Sequence, residues 1–333
     1  MITQKYSNMT GYLEAMIASG AFEPGSKLPS QRQLMQQFDL SLGTVQRGIK
    51  AMTAKGLLDC RPGDGVYVSA RNNCLPLAEL KLGVVMSTNN LDTSFCAHAF
   101  LGIQRLAAES RVTLELHYLN IIQMTSQDLN RIAESNDAIL LLNNYDCNLE
   151  IMPQGRPIVG LEMDNMYNGV VSVVSLDPLN AATLATDFFL GRNVSHVRIF
   201  NSNTPLHERR GNVFAAIWQE HGTFEFMPPT PPTPPNLSCL DDARHGFFFT
   251  GGTCYNNFAK AYRQRHGEFL CHDFPNVISL DGKRLWVPGF EPGPVIKTDW
   301  TAAGYAVFEE ALRRIRYNGT QARRIYLDVK LEV

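Results

Sequence analysis

The 333-residue sequence has no apolar run approaching the roughly 18–20 residues that a membrane-spanning helix needs. Its first residues also lack the basic-then-apolar pattern of a secretory leader. These absences lead to the expectation of a cytoplasmic protein with no membrane partner. The 7 cysteines are odd in number, irregularly spaced and without a CxxC pair, so reduced thiols are expected rather than a disulfide framework or a zinc site. His207, His221, His245, His266 and His272 have no metal-ligand spacing, and no role is assigned to them. GxSxG and Walker signatures are missing, as are paired catalytic carboxylates, and Lys283 and Lys297 lie in no pyridoxal-phosphate context. No cofactor, metal or enzymatic activity is therefore expected.

What is present is an ordinary soluble composition, 44% hydrophobic and 19% charged, in a chain long enough for two or three domains with substantial cores. The net charge of −2 divides unevenly. Through Ala70 there are 7 basic residues and 5 acidic ones, giving +2, so the remainder sums to −4. The mild basic excess sits at the amino-terminal end.

The stretch from Lys27 to Val68 organises this end. Ser30 can cap a helix whose apolar face is Leu34, Met35 and Phe38. After a break at Asp39-Leu40, Ser41 can cap a second helix with Val45, Ile49 and Met52 on one face. Its other face carries Leu42, Gly43, Gln46, Arg47 and Lys50, small and polar at the start and basic further on, which suits a DNA major groove. Arg61-Pro62-Gly63-Asp64-Gly65 reads as a tight turn returning into Val66-Tyr67-Val68, and its Arg beside glycines can lie on a phosphate backbone. Residues from about Gln4 to Ser19 should form a helix behind this pair, with Tyr12, Leu13, Met16 and Ile17 inward.

The combination of Pro24-Gly25-x-Lys27-Leu28-Pro29-Ser30-x-Arg32, Ser41-x-x-Thr44-Val45, Gly56-Leu57 and Gly63-x-Gly65-x-x-Val68 resembles the winged-helix DNA-binding domain of GntR-type bacterial regulators. The resemblance implies DNA contacts from Lys27, Ser30, Arg32, Ser41, Thr44, Gln46, Arg47, Lys50, Arg61 and Gly63. Gln31 and Gln33 stand where that family commonly has Glu, and Leu42 and Gln46 where it has Arg. Such changes bear on which bases are read.

Ser69 to Glu79 lacks periodicity and contains a proline, so it reads as a linker. From Leu80 the texture changes to short apolar runs alternating with helical patterns. Strands are expected at Leu82–Met86, Val112–His117, Ala138–Leu142 and Pro157–Leu161. Helices are expected at Phe95–Ala108 and Gln127–Ser135. A second run follows, with strands at Val197–Phe200, Gly246–Phe249 and Val277–Leu280. Its helices are placed at Leu179–Leu190, Arg210–His221, Asn256–Arg265 and Thr301–Arg314. This alternation predicts an α/β fold of doubly wound parallel sheets in two lobes, with a ligand cleft between them. The expected division is 1–69 winged helix, 70–79 linker, and 80–333 effector-binding and dimerisation domain.

Asp137-Ala138-Ile139-Leu140, Pro157-Ile158-Val159 ahead of Glu162, Asp177-x-x-x-Ala181-Ala182, Arg209-Arg210-x-x-x-Phe214 and Val277-Ile278-Ser279-Leu280-Asp281 occur in that order. Together they resemble the periplasmic-binding-protein-like effector domain of LacI-type regulators. The whole chain then resembles the AraR-like hybrids of the two families. In the cleft, Arg210 offers a fork of donors for two hydroxyls or a carboxylate, and position match favours it as a ligand contact. Asp281 and Glu162 end apolar strands, where α/β sheets bind ligands. Asn89, Asn90 and Phe95 follow the first strand, Asn201 and Ser202 end another, and Trp300 could stack on a sugar or sit in the core. Thr250-Gly251-Gly252-Thr253 replaces the Asn-Asp pair usual in that family, removing one hydroxyl-binding side chain. Met227 to Asn236, MPPTPPTPPN, reads as an extended surface loop or, less simply, a ligand for an aromatic groove.

The resemblance implies a homodimeric regulator binding palindromic operator DNA, repressing until a sugar or sugar derivative binds. The alternatives carried are a solute-binding protein without regulatory role and an activator of the same architecture.

Overall fold

The computed structural model describes residues 9–14, 16–17, 21–22, 25–54, 57–61, 64–69, 79–87, 94–120, 124–142, 152–153, 155–167, 169–202, 204–227, 243–252, 254–259, 276–281, 294–316 and 321–333. Asn89, Asn90, Gly63, most of the expected linker and the proline-rich stretch after Met227 lie outside the described residues.

At the amino-terminal end, α1 spans Gln31–Phe38 and α2 spans Leu42–Ala54. Strand β1, Leu58–Arg61, pairs antiparallel with β2, Gly65–Val68. Ser30 caps α1 through a closed capping box in which the Gln33 amide oxygen accepts from the Ser30 N–H at 2.8 Å. Gln33 therefore does the work of the Glu it replaces, because the box needs an acceptor and not a charge. The turn between the helices passes through Asp39 in a left-handed conformation (φ 50°), which short Asp tolerates. Leu34, Val45, Ile49 and Met52 join Met9, Leu13, Ile17, Leu57, Val66 and Val68 in one core. Tyr12 departs from the expected inward set: it is exposed, with its ring 5.4 Å from that of Phe38. At 3.6 residues per turn, Met9, Leu13 and Ile17 already share one face, and Tyr12 falls at its edge.

The remainder is built on two six-stranded sheets. In the first, β3 (Lys81–Ser87), β4 (Thr113–Leu119), β5 (Ala138–Leu142), β6 (Ile158–Leu161), β7 (Val171–Leu176) and β13 (Arg324–Leu327) stand in the order β4-β3-β5-β6-β7-β13, with all pairings parallel. In the second, β8 (His196–Phe200), β9 (Thr223–Met227), β10 (His245–Phe249), β11 (Val277–Leu280), β12 (Val295–Thr298) and β14 (Val329–Glu332) stand in the order β9-β8-β10-β11-β12-β14. Only the last pairing of this sheet is antiparallel. The doubly wound α/β reading is therefore what the chain adopts. Strands β5, β6 and β7 are buried at every residue, as parallel strands covered on both faces require.

The two sheets share one plan. Helices α3 (Ser94–Ser110) and α4 (Ser126–Ser135) serve the first sheet, and α6 (Pro205–Trp218) serves the second. The chain changes lobe after β7, where Asp177 caps α5 (Pro178–Leu190), whose Ala181, Ala182, Ala185 and Phe189 pack in the second lobe. It returns after β12, where Asp299 caps the start of α7 (Trp300–Arg316), whose Ala303, Val307, Phe308 and Ala311 pack in the first. It crosses once more between β13 and β14, and Asn180 anchors that passage by accepting from the Val329 N–H at 3.0 Å. Asp137 also acts structurally, accepting from the Lys81 N–H at 2.9 Å and fastening the start of β3 to β5.

Helix α3 crosses α7 at a glycine pair. A methyl group on Gly304 would run into the Ala99 carbonyl, and one on Gly102 would lie 3.2 Å from the Gly304 Cα and against the Thr301 carbonyl. Gly304→Ala is expected to lower the unfolding free energy by about 1–3 kcal/mol through overpacking, outweighing the gain in helix propensity of up to about 1 kcal/mol. An unchanged or raised urea midpoint would contradict this close backbone approach.

Candidate functional site

Exposed polar side chains gather on the amino-terminal unit. Lys27, Ser30, Arg32, Ser41, Gln46, Arg47, Lys50 and Arg61 are exposed and Thr44 is half-buried. Gln46 reaches Gln31 at 3.3 Å, linking the two helices across their outer face. Leu42 is 47% exposed and Gly43 borders open space, so the first turn of α2 offers a small, accessible surface. On the hairpin, Lys27 pairs with Asp64 at 3.1 Å, and Tyr67 donates to the same carboxylate at 2.8 Å. Hydrogen bonds from Tyr67 and Lys27 hold the Asp64 carboxyl below its ordinary range. The bond to Asp64 in turn raises the Lys27 ammonium. The Arg61 guanidinium lies 4.0 Å from the centre of the Tyr67 ring. The Tyr67 ring thus lies under two cations, Arg61 and, at 5.5 Å, Lys27.

The second constellation joins the lobes. Arg210 in α6 forms a buried ion pair with Glu162, which follows β6. These residues are 6% and 4% exposed, so the pair is shielded from solvent. Arg210 Nη1 also donates to the Thr250 carbonyl at 3.3 Å. Glu162 Oε1 accepts from the Leu176 N–H at 2.9 Å, while its other oxygen faces the guanidinium. Asp281, after β11, accepts from the Thr298 N–H at 3.1 Å and is further bonded by the Trp300 side chain. The Trp300 ring lies 5.0 Å from that of Phe95. The described members of the expected ligand set, Phe95, Trp300, Asp281, Arg210 and Glu162, thus form one connected chain of contacts and fields across the lobes.

Glu162 and Asp281 are counterparts. Each follows the fourth strand of its sheet's order, and each backbone N–H bonds the neighbouring strand, to Val174 and Ile296. Both are left-handed, with φ of 55° and 46°. Each carboxylate holds the N–H of the residue just before a lobe crossing, Leu176 or Thr298. Left-handed backbone in a non-glycine residue costs about 1–2 kcal/mol, and such strain gathers at functional positions. Burial pushes the Asp281 carboxyl up to about 7, with Glu162 adding to the shift and Arg210 opposing it.

Two sequence expectations need correction. Arg210 does not begin its helix: α6 starts at Pro205, with Thr204 as its cap, so Arg210 sits in the second turn. Thr-Pro is itself a start signal, since proline at the first helical position loses no intrahelical bond. Nor is Arg210 an unengaged fork, because Glu162 and the Thr250 carbonyl already take two of its donors. His207 was given no role, yet it lies at the same place. Its Nδ1 is 2.6 Å from Thr204 Oγ1, burial followed by the nearby Arg210 charge lowers it to about 3, and its ring abuts Gly251. A side chain at 251 would collide with that ring, which accounts for glycine at this position. Asn201 at the end of β8 lies against Gly211 in α6, and its Oδ1 is buried without a hydrogen-bond partner.

Residues 5–68 match the family model described as bacterial regulatory proteins, gntR family. The uncharacterized HTH-type transcriptional regulator YdeF of Bacillus subtilis is 38% identical over 78 residues, which is 23% of this chain and 17% of that protein. The HTH-type transcriptional regulator LutR of the same organism is 28% identical over 103 residues, 30% of this chain and 47% of LutR. The chain thus spans less than half the length of either relative. Among solved structures, the glucose-galactose binding protein GanP of Geobacillus stearothermophilus superposes with a TM-score of 0.58 at 18% identity, covering 76% of this chain and 97% of GanP. The LacI-family regulator CcpA of Weissella paramesenteroides with bound sucrose gives 0.55 at 14% identity, with 76% and 97% covered. A LacI regulator of Lactobacillus brevis gives 0.58 at 18%, with 76% and 100% covered. The chain therefore joins a GntR-type helix-turn-helix at its amino-terminal end to a body with the periplasmic-binding-protein-like fold of LacI-family effector domains.

Proposed function

We propose that this protein is a ligand-responsive bacterial transcription regulator. Residues 1–69 bind operator DNA, 70–79 link, and 80–333 bind the effector and dimerise. The observation that carries the reading is the pairing, in one chain, of an exposed helix-turn-helix face bearing Arg32 and Arg47 with a two-lobed body whose polar cluster bridges the lobes. Two-fold symmetry of a dimer would call for a palindromic operator. The effector class is carbohydrate: structures of similar fold include LacI-family regulators with bound sucrose, glucose or ribose. A ligand that favours one lobe arrangement shifts DNA affinity by its differential binding to the two states. Relief of repression is the proposed sign, and the cytoplasm the proposed location. Among the described residues no helix is long and apolar enough to cross a membrane.

The test is selection of binding sites from random duplexes, followed by titration of the selected site. Arg32→Ala and Arg47→Ala are each expected to weaken binding by about 1–3 kcal/mol while leaving calorimetric effector binding intact. Unchanged operator affinity in both variants would remove the DNA-face assignment. Asp64→Asn should act oppositely. It leaves Lys27 without its carboxylate, so non-specific duplex affinity rises and the salt dependence steepens by about one ion. An identical salt slope would show that Lys27 stays away from phosphate.

A further inference from the structure

The charges of the interlobe cluster bear on what kind of carbohydrate it accepts, an inference that rests on the small-molecule reading above. Its central cation is already answered from within the chain: Arg210 is paired with Glu162 and bonded to the Thr250 carbonyl. The two arginines nearest the pair are answered likewise. Arg209 reaches Asp164 and the Tyr326 hydroxyl, both at 2.8 Å. Arg324 donates to the carbonyls of Met163 and Asp164, at 3.0 and 2.5 Å. His207 beside them is held neutral at ordinary pH by burial. The cluster's remaining capacity is on the acceptor side: the Glu162 carboxylate and the Asp281 carboxyl stand at corresponding positions of the two lobes, and each of their oxygens holds a donor from the chain with a second lone pair to spare.

We propose that the ligand of this cleft carries no negative charge and presents hydrogen-bond donors, hydroxyl or ammonium, to Glu162 and Asp281, so that sugar acids and sugar phosphates are excluded. An entering carboxylate or phosphate could reach Arg210 only by displacing Glu162. The displaced carboxylate, 4% exposed, would then lie buried with the Leu176 N–H and no cation. That exchange trades one anion for another and leaves a charge uncompensated. A polyol or amino sugar instead donates to the second lone pairs of these oxygens while the ion pair stays intact. The same arrangement makes Glu162 the specificity-determining residue of the cleft. It blocks anions by occupying the guanidinium they would need.

The test uses the full chain. Calorimetry is run with matched sets on the glucose, galactose and ribose skeletons: the parent sugar, its amino derivative, its aldonic acid and its terminal phosphate. The expected result is binding by a parent or amino member and at least about tenfold weaker binding by its acid and phosphate. An acid or phosphate that binds more tightly than its own parent overturns the proposal. A second arm needs no sugar. Thermal denaturation of the native protein and of Glu162→Gln is followed in low-millimolar inorganic phosphate. Glutamine keeps an oxygen for the Leu176 N–H while freeing Arg210, so phosphate should raise the melting temperature of the variant and not of the native protein. Equal responses overturn the charge argument whatever the sugar panel shows. If the phosphate arm succeeds while no panel member binds, the carbohydrate reading fails and the exclusion of anions stands.

Discussion

Arg210→Ala is expected to lower the unfolding free energy by about 3–5 kcal/mol, the usual cost of leaving a buried charge without its partner. The reason lies in Glu162, which keeps one backbone donor from Leu176 but loses the guanidinium that neutralises it. Arg210 is 6% exposed, so water cannot readily take the place of the lost cation. Two further consequences follow from the same geometry. The Thr250 carbonyl loses a donor, and Asp281 loses the positive charge that opposes its upward shift. The double variant Arg210→Met with Glu162→Gln removes both charges together and should recover much of the stability. The ligand response should be absent in both. Urea unfolding of the native protein, Arg210→Met, Glu162→Gln and the double variant forms a cycle that isolates the pair. An Arg210→Ala protein as stable as the native one would mean that the ion pair is not formed in solution.

The second large effect concerns pH. Asp281 holds its proton up to about 7 in the folded protein against an ordinary 3.8. Between those values the folded state binds more protons than the unfolded one, so Asp281 makes stability fall as pH rises. His207 does the reverse. Its folded value of about 3 lies below the ordinary 6.5, so stability falls as pH drops through that interval. Across the shared range from about pH 4 to 6.5 the two slopes oppose one another. Each amounts to about 1.4 kcal/mol per pH unit for one proton. The native profile should therefore be flatter than either group alone would make it. Asp281→Asn keeps an oxygen for the Thr298 N–H and tolerates the left-handed backbone. Its stability relative to the native protein should climb with pH up to about 7 and then level off. His207→Gln should gain on the native protein as pH falls below 6.5. Denaturant midpoints across pH 4–8 decide both. A pH-independent difference for Asp281→Asn would show that its carboxyl titrates normally.

Much of the fold was legible because local chemistry and burial coincide in it. The cap at Ser30, the apolar stripe of Val45, Ile49 and Met52, and the apolar runs at Leu82–Met86 and Ala138–Leu142 all carry their structure in adjacent residues. Strands β7, β9, β12, β13 and β14 are not marked by the sequence patterns above. Three of them, β12, β13 and β14, have only four residues each, and β9 is a partly exposed edge strand, so neither length nor alternation sets them apart. β7 is buried at all six residues, but Ser172 and Ser175 interrupt its apolar run.

The sequence by itself determined the order of parts: a capped helix pair with its hairpin, then alternating strands and helices with Asp137, Asp177, Arg210 and Asp281 at their motif positions. Periodicity and capping are properties of neighbours along the chain, so they survive without a structure. Tertiary structure alone decided the charge state of the cleft. Glu162 and Arg210 are 48 residues apart in sequence. Nothing local reveals that they pair, that Asp281 repeats the position of Glu162 in the other lobe, or that His207 requires glycine at 251. Those relations exist because three chain crossings bring the carboxyl ends of two sheets face to face. In that low-dielectric gap, pairing and burial set which groups remain charged.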